Sequence, residues 1–468
     1  MKKNYTQIMG TYAIETMGCQ MNERDSETIA GLLEQMGYTR AEGCGGADVI
    51  VVNTCSVREN ADNRFFGMLG HIKHEKLSHP DTIVAVCGCM MQQDHITEQI
   101  KAKHGWVDLI FGTHNIGGLP EMIDRVLAGR AERAAGRAER AAGAVVSVLP
   151  GRASTEEGLP AKRKFPYKAS VNIMYGCNNY CTYCIVPYTR GREISRDTDK
   201  ILAEISEAAA SGAKEILLLG QNVNSYAGRR GGMAPAGETV DFADLIGMAD
   251  ETPGVERIRF MTSHPKDLSD KLAGRFRPPE EGGAKHLCPS IHLPVQAGST
   301  SVLERMNRRY TKEGYIAITE KLRAARPDIA ITTDLIVGFP GETDEDFEDT
   351  MDVIERVRFD SAFTFLFSPR RGTPAAGYGG AVPEGVMKER FGRMVARLNA
   401  ITLEKNRACI GTVQEVLVEG PSKTNAAMLS GRTFHGKLVN FSGKAAAGDI
   451  VPALIKSVKT FSLIGEQL

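Results

Sequence analysis

The sequence predicts an α/β chain in three parts: a doubly wound parallel sheet, a run of six βα units, and a small β-module at the carboxyl end. Three observations carry this. Short apolar runs alternate with helical patterns over the first 130 residues. The same alternation resumes from Phe165 to about Ala400, and the last stretch holds short β-like runs with Gly and Pro turns and little helix. Strands separated by helices imply parallel pairing. At 468 residues the chain is too long for one ordinary core, and its length argues for about three domains.

In the first part, placed at 1–128, residues 11–16, 49–53, 83–86 and 107–111 read as buried strands. Helical periodicity covers 24–36, 58–74 and 94–103. Residues 129–164 break the pattern: Gly-Arg-Ala-Glu-Arg-Ala-Ala at 129–135 repeats unchanged at 136–142, and the chain then turns rich in Gly, Ser, Pro and Glu. Ala, Arg and Glu favour helix, so part extends the preceding one, but with no apolar face the segment reads as a linker.

The six central strands fall at 169–174, 215–220, 256–261, 290–295, 331–337 and 361–367, within a domain placed at 165–401. They fit either a second open sheet or an incomplete barrel, and periodicity does not separate the two. In the last domain, 402–468, the runs 413–419, 437–441 and 450–457 suggest a small β-barrel or sandwich. From Arg407 onward seven Lys/Arg stand against four Asp/Glu, a net +3. A basic β-module suggests a nucleic-acid handle, because phosphate contacts supply most non-specific affinity.

Bulk composition excludes several classes. With 57 basic and 57 acidic residues there is no global pull toward nucleic acid, so any basic patch is local. Ten cysteines are far too few for a secreted disulfide scaffold. The start, Met-Lys-Lys-Asn-Tyr-Thr, lacks a signal peptide's apolar stretch, and no run is long enough to span a membrane. The expectation is a cytoplasmic protein with reduced thiols, which suits metal ligation better than bridges.

The chemistry lies in the cysteines. Cys177-Asn-Asn-Tyr-Cys181-Thr-Tyr-Cys184 supplies three thiolates just past an apolar segment. Structural zinc sites and fully protein-ligated four-iron clusters take four ligands, so a trio suggests a cluster with one iron open to a small molecule. The blander alternatives are a zinc site borrowing a distant ligand and a redox dithiol. A second trio, Cys19, Cys55 and Cys89, is scattered in sequence, yet each member follows the carboxyl end of an expected strand. In an open parallel sheet those ends share one edge, where ligand sites form. Three ordinary buried cysteines are the alternative. Cys87 competes with Cys89, since alternation puts both on one side of a strand. The Gly before Cys89 favours a turn toward a ligand. Cys44, Cys288 and Cys409 read as structural.

Polar residues at later strand ends would face one cavity if the central domain is a barrel. These are Gln221, Asn222 and Asn224, Ser263 and His264, Gln296, Asp334 within the fifth strand, and Arg370. Each alone reads as a turn or core residue; together they read as a pocket. No catalytic group beyond the cluster ligands is singled out.

The motifs Met-Gly-Cys19-Gln-Met-Asn-Glu-Arg-Asp-Ser, Asn53-Thr-Cys55-Ser-Val-Arg58, Gly88-Cys89-Met, the Tyr175–Glu193 run, His292-Leu-Pro-Val-Gln296-Ala-Gly-Ser299 and Asp334-Leu-Ile-Val-Gly-Phe-Pro-Gly-Glu342-Thr resemble the radical S-adenosylmethionine methylthiotransferase family. The resemblance covers nearly the whole chain apart from the linker and the insert at 228–237. It implies a central partial (β/α)6 radical-SAM barrel and a C-terminal small antiparallel β-barrel of the TRAM type, and it selects Cys89 over Cys87. Within the family the chain looks most like the MiaB type, on Arg-Gly-Arg-Glu-Ile-Ser-Arg196, Leu417-Val-Glu-Gly-Pro-Ser-Lys423 and Leu429-Ser-Gly-Arg-Thr433. Phe367 stands where the family often has Tyr.

That subgroup converts N6-isopentenyladenosine, adjacent to the tRNA anticodon, to its 2-methylthio derivative. The resemblance therefore implies two [4Fe-4S] clusters, one held by each trio, with S-adenosylmethionine on the open iron of the first. It implies a tRNA substrate and a reducing partner such as flavodoxin or ferredoxin, for a monomer off the membrane. Sister enzymes acting on threonylcarbamoyl-adenosine in tRNA or on a ribosomal protein are alternatives. A non-catalytic iron–sulfur or RNA-binding protein is a remote one.

Overall fold

The computed structural model describes residues 10–56, 61–135, 144–149, 157–231 and 238–468. The chain divides into two compact units: Met1–Lys164 with Tyr175–Asn178 and Cys184–Ile194, and Phe165–Met174 with Asn179–Tyr183 and Ser195–Leu468.

The first unit is a parallel sheet. In chain order its elements are β1 (Gly10–Thr16), α1 (Gln20–Gln35), β2 (Tyr38–Arg40), β3 (Val49–Thr54), α2 (Ala61–Ser78), β4 (Ile83–Gly88), α3 (Asp94–Lys103), β5 (Leu109–Phe111), α4 (Leu119–Ala134) and β6 (Val145–Ser147). The strands lie in the order β2-β1-β3-β4-β5-β6 and all pair in parallel. Strands β3 and β4 are buried at every position, as a sheet covered on both faces requires. One apolar cluster, with Ile29, Leu33, Val49, Val51 and Ile123, lies on one face; another, with Ile50, Val52, Phe65, Val84 and Ile96, lies on the other.

The expected strands and helices are present with shifted ends, and two edge strands were not expected. One is β2. The other, β6, falls inside the stretch read as linker and pairs with β5 through Leu109↔Val145. Helix α4 also runs on through Gly129 into the first copy of the repeat; the second copy, 136–142, lies outside the described residues. Beyond it, Lys162 donates its backbone N–H to the Glu27 carbonyl on α1 at 2.8 Å.

In the second unit the strands are β7 (Lys168–Asn172), then, past the two-residue strands β8 (Met174–Tyr175) and β9 (Ile194–Ser195), β10 (Glu215–Leu219). A hairpin of β11 (Ala227–Arg230) and β12 (Glu238–Asp241) precedes β13 (Arg257–Phe260), β14 (Ser290–His292), β15 (Ala330–Val337) and β16 (Ser361–Leu366). Two parallel halves, β7-β10-β13 and β14-β15-β16, adjoin through the bridge Ile258↔Leu287, just ahead of β14. Six parallel strands with β7 and β16 left as edges make a partial barrel, which resolves the open alternative. Helices over Thr198–Ala210, Lys312–Ala325 and Asp344–Val357 cover it, their Ile201, Ile205, Tyr315, Phe347 and Ile354 packing on Ile216, Ile331 and Leu335.

A long helix, Glu384–Arg407, leads to a closed barrel of five strands at Val413–Pro421, Leu429–Thr433, Leu438–Ser442, Ile450–Lys459 and Ser462–Gln467. Val416, Val418, Val439, Phe441, Ala453, Ile455 and Leu463 fill it. The expectation of an antiparallel barrel holds for four pairings, but the third and fifth strands close it in parallel. A five-stranded Greek-key barrel can close in this way.

Arg257 opens β13 with a fully buried side chain and ties this small barrel on. Its Nη1 donates to the Arg432 carbonyl at 2.9 Å, and its Nη2 donates to the Glu415 carbonyl at 3.1 Å and Oε1 at 2.9 Å. Beside it Arg259 donates to the Thr433 carbonyl at 2.8 Å. Truncating Arg257 removes a fully buried side chain and its three hydrogen bonds at once, so Arg257→Ala is expected to cost about 2–4 kcal/mol. A lowered denaturant midpoint in the second unit's transition checks this, and no change would refute it.

Candidate active site

Each member of the scattered cysteine trio stands at the carboxyl end of one of three neighbouring strands. Cys19 is the N-cap of α1 beyond β1, Cys55 directly follows β3, and Cys89 opens a short 3-10 turn directly after β4. Gly88 makes the last turn possible with φ +97, a region that only glycine enters freely.

Asn22, fully buried in the first turn of α1, gathers the trio. Its Oδ1 accepts from Cys19 Sγ at 3.6 Å and from Cys89 Sγ at 4.0 Å. Its Nδ2 donates to the Thr54 carbonyl, beside Cys55, at 2.6 Å. Asn53 steadies it in turn, donating to the Asn22 carbonyl at 2.9 Å and to Ser26 Oγ at 3.0 Å. Burial pushes the Cys89 thiol up to about 12, against the opposing pull of the Arg190 guanidinium. Cys87, by contrast, points into the apolar cluster beneath α1 and its carbonyl accepts from Thr54 Oγ1.

None of the ten cysteines, all within the described residues, is disulfide-bonded. Among the described residues no three His, Cys, Asp or Glu side chains are gathered tightly enough to hold a single metal ion. The thiolates of a four-iron cluster each bind a different iron, which sets them wider apart.

In the short run, Cys181 is buried in the second unit, whereas Cys177 and Cys184 are half-buried in the first. Gly176 (φ +72) turns the chain into Cys177, whose N–H donates to the Gly191 carbonyl at 3.1 Å. At Cys181 the neighbour is Arg308, whose Nη1 points at Sγ from 3.5 Å. Arg308 is itself held by the Pro294 carbonyl at 2.7 Å and by Tyr310 Oη at 2.8 Å. Asn307 (φ +59) and Arg309 (φ +57) flank it in the left-handed region. Such strain is sustained only where the surroundings impose it.

Past β10 and β13 the expected polar residues come together. Asn224 is committed to positioning: its Nδ2 donates to the His264 carbonyl at 2.8 Å and its Oδ1 accepts the His264 N–H at 2.9 Å. The others keep unmet polar atoms. Gln221 Oε1, Asn222 Oδ1, Ser263 Oγ and His264 Nε2 are buried without a hydrogen-bond partner. Such orphans in a native structure call for a ligand or water. Thr262, next to Ser263, sits at φ +69, unusual for a β-branched residue. Across the other half of the barrel Gln296 (φ +72) is nearly buried, bridging Leu335 through its backbone. Asp334, on β15, has Oδ1 3.5 Å from Nε2 of His292 on β14, and the carbonyl of half-buried Arg370 accepts from Thr373 Oγ1 after β16.

Burial, with Arg308 and Lys266 nearby, drives His264 down to about 2. Its Nδ1 accepts from the Lys266 N–H at 3.3 Å, which leaves the ring proton on Nε2. The unfolded chain binds a proton near the ordinary histidine value and the folded one does not. Stability is therefore fully present above about pH 6.5 and falls as pH drops. About 2 kcal/mol is lost between pH 7 and pH 5. His264→Gln should flatten that slope in urea titrations; an unchanged slope would refute the assignment.

Three family models match the chain: "Uncharacterized protein family UPF0004" at 11–112, "Radical SAM superfamily" at 171–354 and "TRAM domain" at 407–468. Relatives named tRNA-2-methylthio-N(6)-dimethylallyladenosine synthase match over nearly full length. The Alkaliphilus oremlandii protein is 48% identical, over 97% of this chain and 92% of its own. That of Acetivibrio thermocellus is 50% identical, over 97% and 90%. That of Clostridium perfringens is 47% identical, over 97% of each. The chain belongs to the tRNA-2-methylthio-N(6)-dimethylallyladenosine synthase family.

For this family member, the UPF0004 match spans the sheet from β1 to β5 with the scattered trio, and the TRAM match spans the closed five-stranded barrel. The radical SAM match begins in β7 and stops before β16, so the sixth barrel strand lies beyond it. A solved structure of the radical S-adenosylmethionine methyltransferase TsrM from Kitasatospora setae, with cobalamin and a [4Fe-4S] cluster bound, aligns with TM-score 0.52. It covers 86% of this chain and 76% of that one at 14% identity, a likeness of fold alone. Among the described residues no helix is long and apolar enough to cross a membrane.

Proposed function

We propose that this family member methylthiolates C2 of N6-isopentenyladenosine adjacent to the tRNA anticodon, giving the 2-methylthio derivative. The observation that carries the reading is the duplication of an incomplete ligand set: two cysteine trios, each at strand ends, in a chain whose full-length relatives bear that activity in their name. The donor sets fit. Cys177, Cys181 and Cys184 would hold one [4Fe-4S] cluster, and Cys19, Cys55 and Cys89 a second. Each leaves one iron open.

With S-adenosylmethionine, the clusters supply radical and sulfur chemistry that no side chain can perform on an aromatic C–H. The chain's own residues bind and orient. Gln221, Asn222, Ser263 and His264 offer unmet polar atoms for S-adenosylmethionine, Asn224 fixes the His264 backbone, and Gln296, Asp334 and Arg370 complete the set. His264 stays uncharged and presents an N–H.

The basic terminal barrel grips tRNA backbone, and a loop nucleotide suits the enzyme because its base is presented without opening a duplex. A reductant such as flavodoxin or ferredoxin, a monomeric state and a cytoplasmic setting complete the reading. The working domains are 1–128, 165–401 and 402–468, joined by 129–164.

Nucleoside mass spectrometry of tRNA from a deletion strain tests this. The 2-methylthio-N6-isopentenyladenosine signal should vanish, the unthiolated nucleoside should accumulate, and the gene should restore the product. Persistence of the product in the deletion strain would refute it. Loss of the threonylcarbamoyl counterpart instead would point to the sister activity.

A further inference from the structure

Arg190 follows the short cysteine run in sequence, yet its guanidinium is directed at the other trio. All the groups concerned belong to the first unit. The side chain is 4% exposed. Its Nε donates to Cys89 Sγ at 3.1 Å, and its Nη2 donates to Asn22 Oδ1 at 3.2 Å and to Asp25 Oδ2 at 2.8 Å. Asn22 Oδ1 is the same atom that accepts from the Cys19 and Cys89 thiols. One planar fork thus spans a thiolate ligand, the amide that gathers the trio, and a buried carboxylate.

A buried cation needs compensation, and Asp25, itself 6% exposed, supplies it. Packing alone does not explain the arrangement. An apolar side chain of similar size would fill the space, whereas a guanidinium incurs desolvation and brings a directed N–H to sulfur. The fixed fork is what lets it meet sulfur, amide and carboxylate together.

Resting on the reading of Cys19, Cys55 and Cys89 as cluster ligands, we propose that Arg190 is a positioning residue that raises the reduction potential of that cluster, with Asp25 as its counterweight. Hydrogen bonds to ligand sulfur and nearby net charge are what set such potentials. A donor and positive charge at Cys89 favour the electron-rich state. The Asp25 carboxylate opposes this, so the two residues act with opposite sign on the potential while acting together on geometry.

The experiment uses the full chain with Cys177, Cys181 and Cys184 all replaced by alanine, reconstituted anaerobically with iron and sulfide and titrated potentiometrically by electron paramagnetic resonance. Against that parent, Arg190→Gln should lower the reduced-to-oxidised ratio at a fixed solution potential about tenfold, roughly 59 mV for one electron. Asp25→Asn should raise it, and Arg190→Lys, which keeps the charge without the fork, should fall between parent and glutamine.

A loaded Arg190→Gln cluster with unchanged potential overturns the proposal, as do shifts of the same sign in the Gln and Asn variants. If Arg190→Gln takes up no cluster, Asp25→Asn decides: a raised potential supports the proposal and an unchanged or lowered one overturns it. A parent that binds no iron would sink the cluster reading of the trio, and this proposal with it.

Discussion

Replacing Cys181 by alanine is expected to abolish tRNA methylthiolation and to remove about four of about eight irons, the content of one [4Fe-4S] cluster. Cys181 is the buried thiol of its run, at 6% exposure, and the buried Arg308 is aimed at it. Without that sulfur a trio falls to two ligands, too few to retain a cluster with one iron already open. The Asn22-centred trio shares none of these residues, so its iron should remain. Iron and sulfide analysis beside nucleoside mass spectrometry checks both halves. Loss of all iron would mean that the trios are not separate sites.

The next largest effect is expected from Gly88→Ala. A methyl there would lie 2.3 Å from the Thr54 carbonyl, 2.5 Å from Asn53 Oδ1 and 2.6 Å from the Thr54 nitrogen, at φ +97. Two of those atoms are backbone of the neighbouring strand, which a packed sheet cannot move cheaply. Conformational strain and overpacking together cost about 2–4 kcal/mol. The outcome should be loss of the iron held near Cys89 with the iron of the Cys177–Cys184 run kept. Gly70→Ala is the control: its Cβ meets nothing on the exposed side of helix α2, where alanine favours helix by up to about 1 kcal/mol. Calorimetry on both variants, with iron content, separates a local clash from general intolerance of substitution.

Much of the architecture was legible because parallel βα units write themselves as alternating apolar runs. The convergence of Cys19, Cys55 and Cys89 followed from strand ends sharing one edge, and Asn22 then supplied the geometry. What stayed hidden has physical reasons. Strand β6 lies in the apolar run Ala144-Val145-Val146-Ser147-Val148-Leu149, which stands between a polar repeat and a stretch rich in Gly, Ser, Pro and Glu, and that surrounding composition masked it. Leu429–Thr433 holds Ser, Gly and Arg, and it becomes a strand only because its neighbours on both sides pair with it.

The two buried arginines beside the cysteine sulfurs, Arg190 and Arg308, were not legible at all. In Thr-Arg190-Gly-Arg192 and in Arg308-Arg309 one of each pair is buried and the other exposed. No periodicity tells which one turns inward. The polar set was read as a group and came together past β10 and β13, but the role of Asn224 changed once both ends of its amide were found on the His264 backbone.

The central claim is that two incomplete sulfur ligand sets each hold their own cluster. Mössbauer spectroscopy with iron and acid-labile sulfide analysis, on anaerobically purified and reconstituted wild-type protein, tests it most directly. The account predicts about eight irons and eight sulfides per chain in two distinguishable [4Fe-4S] environments. Zinc in place of iron, or about four irons in a single environment, would contradict it.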